Sequence, residues 1–307
     1  MTIMDHVTRF VALKQKLGYR FTTNAKVLKS FARFAAEAEF VHSGTVLAWA
    51  STASSQPWCV KRLHIVYAFA LWMHAEDARH EVPPRDAFGR LSSRRPAPHL
   101  MSIQDIRRLL SAAHAMPPAD TINRLTWHYL FGLIAATGLR IGEALGLTLD
   151  DITPDGLIVR DTKFRKSRMV VLHPTTRDAL NRYLAVRRKE KTPDGHLFVL
   201  ATGLSPSSRR AGTVFRKLTE QIGTRMPGAA RGPTPHSLRH AVAVRALENM
   251  KPGTEPGRHM LALATHLGHV DVSGTYWYLE ATPVLLHGIA RTAESRHHAM
   301  QWGGSRD

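Results

Sequence analysis

One stretch constrains the fold of this chain more than any other: the nineteen residues from Val82 to Leu100, which suit neither a helix nor a sheet. The sequence VPPRDAFGRLSSRRPAPHL carries four prolines, and four arginines against one aspartate. Proline fixes its own φ and lacks a backbone donor, so the stretch stays extended and separates what lies on either side. The division predicts a first domain over residues 1–81, a basic proline-rich linker over 82–100 and a second domain over 101–307.

Before the linker the apolar period is helical. Val7, Phe10, Val11 and Leu17 form one stripe, and Val27, Leu28, Phe31, Phe34 and Ala35 a second. A third segment contains Leu47 and Trp49. A fourth runs through Val60, Leu63, Val66, Tyr67, Ala70, Leu71 and Met73, with Ser54, Ser55 and Pro57 as start signals. These four segments predict a small all-helical bundle.

After the linker, Ser102 reads as the N-cap of IQDIRRLLSAAHA, with Asp105 placed to complete a capping box. An apolar helix from Leu125 to Ala136 ends at Thr137-Gly138, and a short helix, IGEALGL, follows. The period then changes: LIVRDT and RMVVL are β-rich runs joined by the basic turn KFRKS, which predicts a hairpin. Helices are expected again over Thr176–Lys191, Ser208–Ile222, Leu238–Asn249, Met260–Leu267 and Pro283–Ser295. The fold class is therefore mainly α with a small antiparallel β-sheet.

Forty-two Lys and Arg stand against 24 Asp and Glu, a formal charge of +18 and a pI near 10.7. Such a surface attracts a polyanion and releases its counterions. Cys59 is the single cysteine, which excludes an intrachain disulfide or a thiolate metal cluster. The first twenty residues lack the apolar core of a signal peptide, and no window approaches the ~20 apolar residues of a membrane span. A soluble, cytoplasmic protein is expected.

Four separated segments gather residues suited to phosphodiester chemistry: TGLRIGEALGL around Arg140, KFRKS, PHSLRH around Arg239, and LGHVDVSGTYWY ending at Tyr278. Arg140 follows a helix end and a glycine, so its guanidinium can fork onto two phosphate oxygens. Glu143, three residues on, can hold it. His236 and Arg239 share a helical face. In combination these motifs resemble the tyrosine recombinase (phage integrase) family over roughly Ser102 to Leu286. The wording of HVDVSGTYWYLEATPVLL is most similar to integrases of transposon-type mobile elements.

The resemblance implies a helical, SAM-like DNA-binding domain followed by a catalytic domain. It implies Arg140 and Arg239 as phosphate clamps, His236 as a histidine that assists proton transfer or bonds the phosphate, His269 as one that bonds the phosphate and buttresses the nucleophile, Lys163 as the acid for the leaving 5′ oxygen, and Tyr278 as nucleophile. Glu143 and His240 are implied as supporting residues. Thr162 and Phe164 stand where the family commonly has glycines, which leaves Lys166 as the alternative lysine; Tyr276 is the alternative tyrosine. The implied reaction forms a 3′-phosphotyrosyl link, frees a 5′ hydroxyl and rejoins strands without cofactor, ATP or metal. Implied partners are double-stranded DNA at the nucleoid and other protomers, as a tetramer, alone or with paralogous recombinases. Rival readings are a partner-dependent accessory recombinase, a type IB topoisomerase-like enzyme, and a zinc enzyme suggested by His236 and His240 at i, i+4. The zinc reading lacks the glutamate of HExxH and an evident third ligand.

Overall fold

The computed structural model describes residues 1–19, 21–36, 38–89, 98–118, 122–160, 167–190, 195–250, 255–268 and 278. Lys163, Lys166, His269, Tyr276 and the helix expected over Pro283–Ser295 lie outside the described residues. The chain forms two compact units, Met1–Pro96 and Ala97–Asp307.

The first unit contains helices α1 (Ile3–Lys16), α2 (Thr22–Phe34), α3 (Ser43–Ser51) and α4 (Gln56–Glu76). A Thr2–Asp5 capping box opens α1 and satisfies donors that the first turn would leave free. Val7, Phe10, Leu28, Phe31, Trp49, Leu63, Val66 and Phe69 form the core between the helices. Leu17, Phe34 and Leu71, which continue the apolar stripes in the sequence, face solvent. Residues 82–89, expected as extended linker, fold onto this unit. Pro83 is buried, Phe88 packs on the core, and its carbonyl accepts from Gln56.

Buried His80 ties this unit together. Its Nδ1 accepts the Val41 N–H at 3.1 Å, its carbonyl meets His74 Nδ1 at 2.7 Å, and its ring edge meets His6. Burial, and then the charge of His6, hold its pKa below the usual imidazole value. The unfolded chain therefore takes up this proton first. Stability from His80 is complete above about pH 6.5 and is lost as pH falls through that value toward the lower folded pKa. We predict that thermal melts of the wild type shift down between pH 7.5 and about 5.5, and that His80→Asn, which keeps an acceptor but cannot titrate, reduces this shift.

The second unit is built around α6 (Ile122–Thr137), which packs against α5 (Ile103–His114), α7 (Ile141–Gly146), α8 (Pro174–Arg187) and α10 (Pro235–Glu248). Ser102 and Asp105 form the capping box of α5. Helix α9 (Ser208–Gln221) packs on α5, and α11 (Pro256–Leu267) on α10. Strands β1 (Gly156–Val159) and β2 (Arg168–Val171) form an antiparallel pair with Val159 opposite Arg168. Leu157, Val159 and Val170 turn into the core with Leu130, Phe131, Tyr183, Phe198 and Phe215. No helix among the described residues is long and apolar enough to cross a membrane.

Several helices begin earlier than the apolar period suggests, because prolines occupy their first turns. Proline has no N–H to lose there, and its fixed φ suits the helix. Thus α8 opens at Pro174, α10 at Pro235 and α11 at Pro256. For α10 the extra turn brings His236 into the same helix as Arg239 and His240.

Candidate active site

Two glycines make the close approaches on which the site is built. Gly138 ends α6 with φ +70°, and a Cβ there would lie 2.8 Å from Leu267. Gly268 caps α11 with φ +66°, and a Cβ there would lie 2.7 Å from the Arg168 guanidinium. Both positions favour glycine for conformation, and both are crowded. The ends of α6 and α11 meet here: His266 Nε2 lies 2.9 Å from the Thr137 carbonyl.

Arg239 comes from the middle of α10 and is fully buried. One of its terminal nitrogens donates to the Gly138 carbonyl and the other to the Leu267 carbonyl, each at 2.7 Å. Burial, and then the charge of Arg140, lower its pKa to about 10, so it keeps its charge at neutral pH. Among the described residues its Nε has no hydrogen-bond partner.

Arg140 is the N-cap residue of α7 and is partly exposed. It donates to Glu143 at 2.7 Å and to the Gly268 carbonyl at 2.9 Å. The two arginines therefore grip consecutive carbonyls, those of Leu267 and Gly268, at the end of α11. Two guanidiniums fixed side by side can neutralise charge building on a phosphoryl group.

Glu143 is nearly buried and also accepts the backbone N–H of Arg140 at 2.9 Å. Arg168, at the start of β2, bonds both carboxylate oxygens at 3.2 and 2.9 Å and the His266 carbonyl at 3.0 Å. Burial alone would raise the pKa of Glu143, but the bonds from Arg168 and Arg140 outweigh it and hold the carboxyl at about 2. Sequence reasoning missed Arg168. Its only signal is a charged residue opening a short apolar strand, and its partner lies 25 positions away. Through it, the sheet end from which residues 161–166 depart is fixed beside Glu143.

His236 and His240 stand one turn apart on α10 with their rings edge to face at 4.3 Å. Although His236 reaches solvent, the protein around it, followed by the charges of Arg239 and Arg140, lowers its pKa. Tyr278 is buried with Ala243, Val244, Leu263 and Leu267 between α10 and α11. Its hydroxyl lies 3.0 Å from His240 Nδ1. Burial raises the phenol pKa, and the nearby charge of Arg239 opposes this. Arg140, Glu143, His236, Arg239, His240 and Tyr278, drawn from three separated stretches of sequence, thus come together. Among the described residues no three His, Cys, Asp or Glu side chains group as a metal site.

The sequence profile of the phage integrase family matches residues 100–283. The chain belongs to this family, the tyrosine recombinases. It is 35% identical to a protein of Sinorhizobium fredii (strain NBRC 101917 / NGR234) named integrase/recombinase y4rB, over 96% of this chain and 98% of that one. It is 31% identical to the tyrosine recombinase XerD of Brucella suis biovar 1 (strain 1330), over 78% and 75% of the two chains. Among solved structures, the Tn1549 transposon integrase in complex with transposon right end DNA is similar at a TM-score of 0.66 and 17% identity, over 91% of this chain and 94% of that one. The XerH recombinase in a post-cleavage complex with difH substrate is similar at 0.63 and 15% identity, over 89% and 79%.

Proposed function

We propose that this tyrosine recombinase cuts DNA at a specific site and rejoins the strands through a 3′-phosphotyrosyl bond at Tyr278. Arg140 and Arg239 meet on the carbonyls that end α11, and the Tyr278 hydroxyl lies on His240, the residue after Arg239; this convergence is the observation that carries the reading. Arg140 and Arg239 bind the scissile phosphate and stabilise the charge of the pentacoordinate phosphorus. Glu143 holds Arg140 in place, and His236 and His269 bond the phosphate oxygens. Tyr278 attacks, the 5′ oxygen leaves, and a 5′ hydroxyl from another strand reverses the step.

The excess of positive charge supports duplex DNA as substrate. DNA-bound transposon and Xer recombinases of the same fold support the same partner. Residues 1–81 serve as the DNA-clamping domain and 101–307 as the catalytic domain, joined through the basic segment 82–100. The working form is a homotetramer on DNA. Strand transfer between two duplexes requires such a closed assembly.

Lys163 serves as the acid that protonates the leaving 5′ oxygen. With nicked duplexes taken from the DNA that flanks the gene, Lys163→Ala is expected to slow covalent adduct formation about 10²-fold or more. A 5′-bridging phosphorothioate, whose leaving group needs no proton, restores the rate. Restoration in Lys166→Ala instead moves the role to Lys166. On denaturing gels the adduct is expected in wild type and Tyr276→Phe and absent in Tyr278→Phe. Salt-sensitive DNA binding with no adduct from the wild type favours an accessory recombinase that depends on a partner.

A further inference from the structure

Three guanidiniums hold three consecutive carbonyls at the end of α11: Arg168 that of His266, Arg239 that of Leu267 and Arg140 that of Gly268. Arg168 does more than cap the helix. Its two terminal nitrogens fork onto both oxygens of Glu143, and its guanidinium lies so close to Gly268 that a Cβ there would be 2.7 Å from Nη1. Among the described residues the nearly buried Glu143 carboxylate thus accepts two N–H bonds from Arg168 and two from Arg140, one of these from its backbone and one from its side chain. Burial alone would raise the pKa of this carboxyl, but the bonds from the two arginines bring it to about 2, so one negative charge stands between two positive ones at neutral pH. The side chain of Arg140 is 35% exposed and that of Arg168 only 13%, so it is Arg140 that presents the remaining positive charge to a phosphate.

We propose that Arg168 is a positioning residue for strand cleavage: by neutralising Glu143 it leaves the guanidinium of Arg140 able to fork onto the scissile phosphate. The inference rests on the recombinase reading and adds to it a residue that acts through Glu143. A carboxylate has about four acceptor positions, and a buried one left half satisfied takes the nearest donor. Without Arg168 that donor is Arg140, which is exposed enough to turn and whose planar fork fits two carboxylate oxygens as well as it fits a phosphate. Arg140 then leaves the Gly268 carbonyl, and Glu143 cancels the charge that Arg140 brings to the phosphorus.

The role predicts a change of sign that a loss of packing does not. On the same nicked flanking duplexes, Arg168→Gln is expected to slow adduct formation about 10²-fold, and Glu143→Gln to slow it as well. The double variant Arg168→Gln with Glu143→Gln, in which neither charge remains, is expected to form adduct about 10-fold faster than Arg168→Gln alone. Should Arg168→Gln fail to fold by circular dichroism, Arg168→Met, which fills the same space without charge, is read in the same way. A second readout does not need cleavage. With Tyr278→Phe present throughout, the slope of log affinity against log salt for these duplexes falls by about one in Arg168→Gln and returns in the double variant, because one phosphate contact is lost and regained. A double variant as slow as Arg168→Gln or slower, or a salt slope that Arg168→Gln leaves unchanged, would overturn the assignment of Arg168. Absence of adduct from the wild type overturns the recombinase reading instead, and the salt slopes then decide for or against Arg168.

Discussion

Arg239→Ala is expected to reduce adduct formation at least 10³-fold and, at the same time, to lower unfolding stability by about 3 kcal/mol. Both losses come from one side chain. The guanidinium is buried and donates to the carbonyls of Gly138 and Leu267, so its removal takes a donor from each where the ends of α6 and α11 meet. Arg140→Ala separates the two effects. Its side chain is partly exposed, so a similar loss of cleavage should come with less than about 1 kcal/mol of stability. Rates from covalent adduct gels and midpoints from denaturant unfolding check both variants. If Arg239→Ala is as stable as wild type, the two carbonyls do not depend on it. Arg239→Lys should rescue little, because a single ammonium cannot reproduce the planar fork that spans two carbonyls.

Glu143→Ala is expected to have the next largest effect. Its carboxylate lies between Arg140 and Arg168, and removing it leaves two guanidiniums facing each other in a nearly buried place. Breaking such a pair costs about 3 kcal/mol, and loss of the fixed Arg140 should slow cleavage by about 10²-fold. The same group predicts an acid limb. With the folded pKa at about 2, well below that of the unfolded chain, Glu143 contributes fully above about pH 4.5 and loses its contribution as pH falls from there toward 2. Glu143→Gln should flatten this limb and leave the His80 limb near pH 6 in place. Equilibrium unfolding from pH 7 to 3, followed in wild type, Glu143→Gln and His80→Asn, separates the two.

Local signals made much of the fold legible in the sequence. The Ser102–Asp105 cap, the left-handed glycine after Thr137 and the strand pair on either side of KFRKS depend on a few neighbouring residues, and the structure has all three. The site was legible as residue types in a chain order, which drew attention to Arg140, Glu143, His236, Arg239, His240 and Tyr278. What pattern could not supply was the contacts that require the chain to fold back. Arg168 bonds Glu143 across 25 positions, and Arg239 bonds Gly138 across 101. The meeting of His240 with Tyr278 spans 38 positions and brings an expected supporting residue within 3.0 Å of the hydroxyl of the expected nucleophile. The folding of residues 82–89 onto the first unit was hidden in another way, because Pro83 and Phe88 sit in a segment whose composition favours solvent.

The most direct test of the account is to identify the amino acid that becomes joined to DNA. Wild-type adduct formed on nicked flanking duplexes is digested with nuclease and protease, and the nucleotide-bearing peptide is sequenced by mass spectrometry. The account predicts one modified residue, Tyr278, joined to the 3′ phosphate of the cut strand. A nucleotide on Tyr276 or any other side chain, or a linkage through a 5′ phosphate, would contradict it.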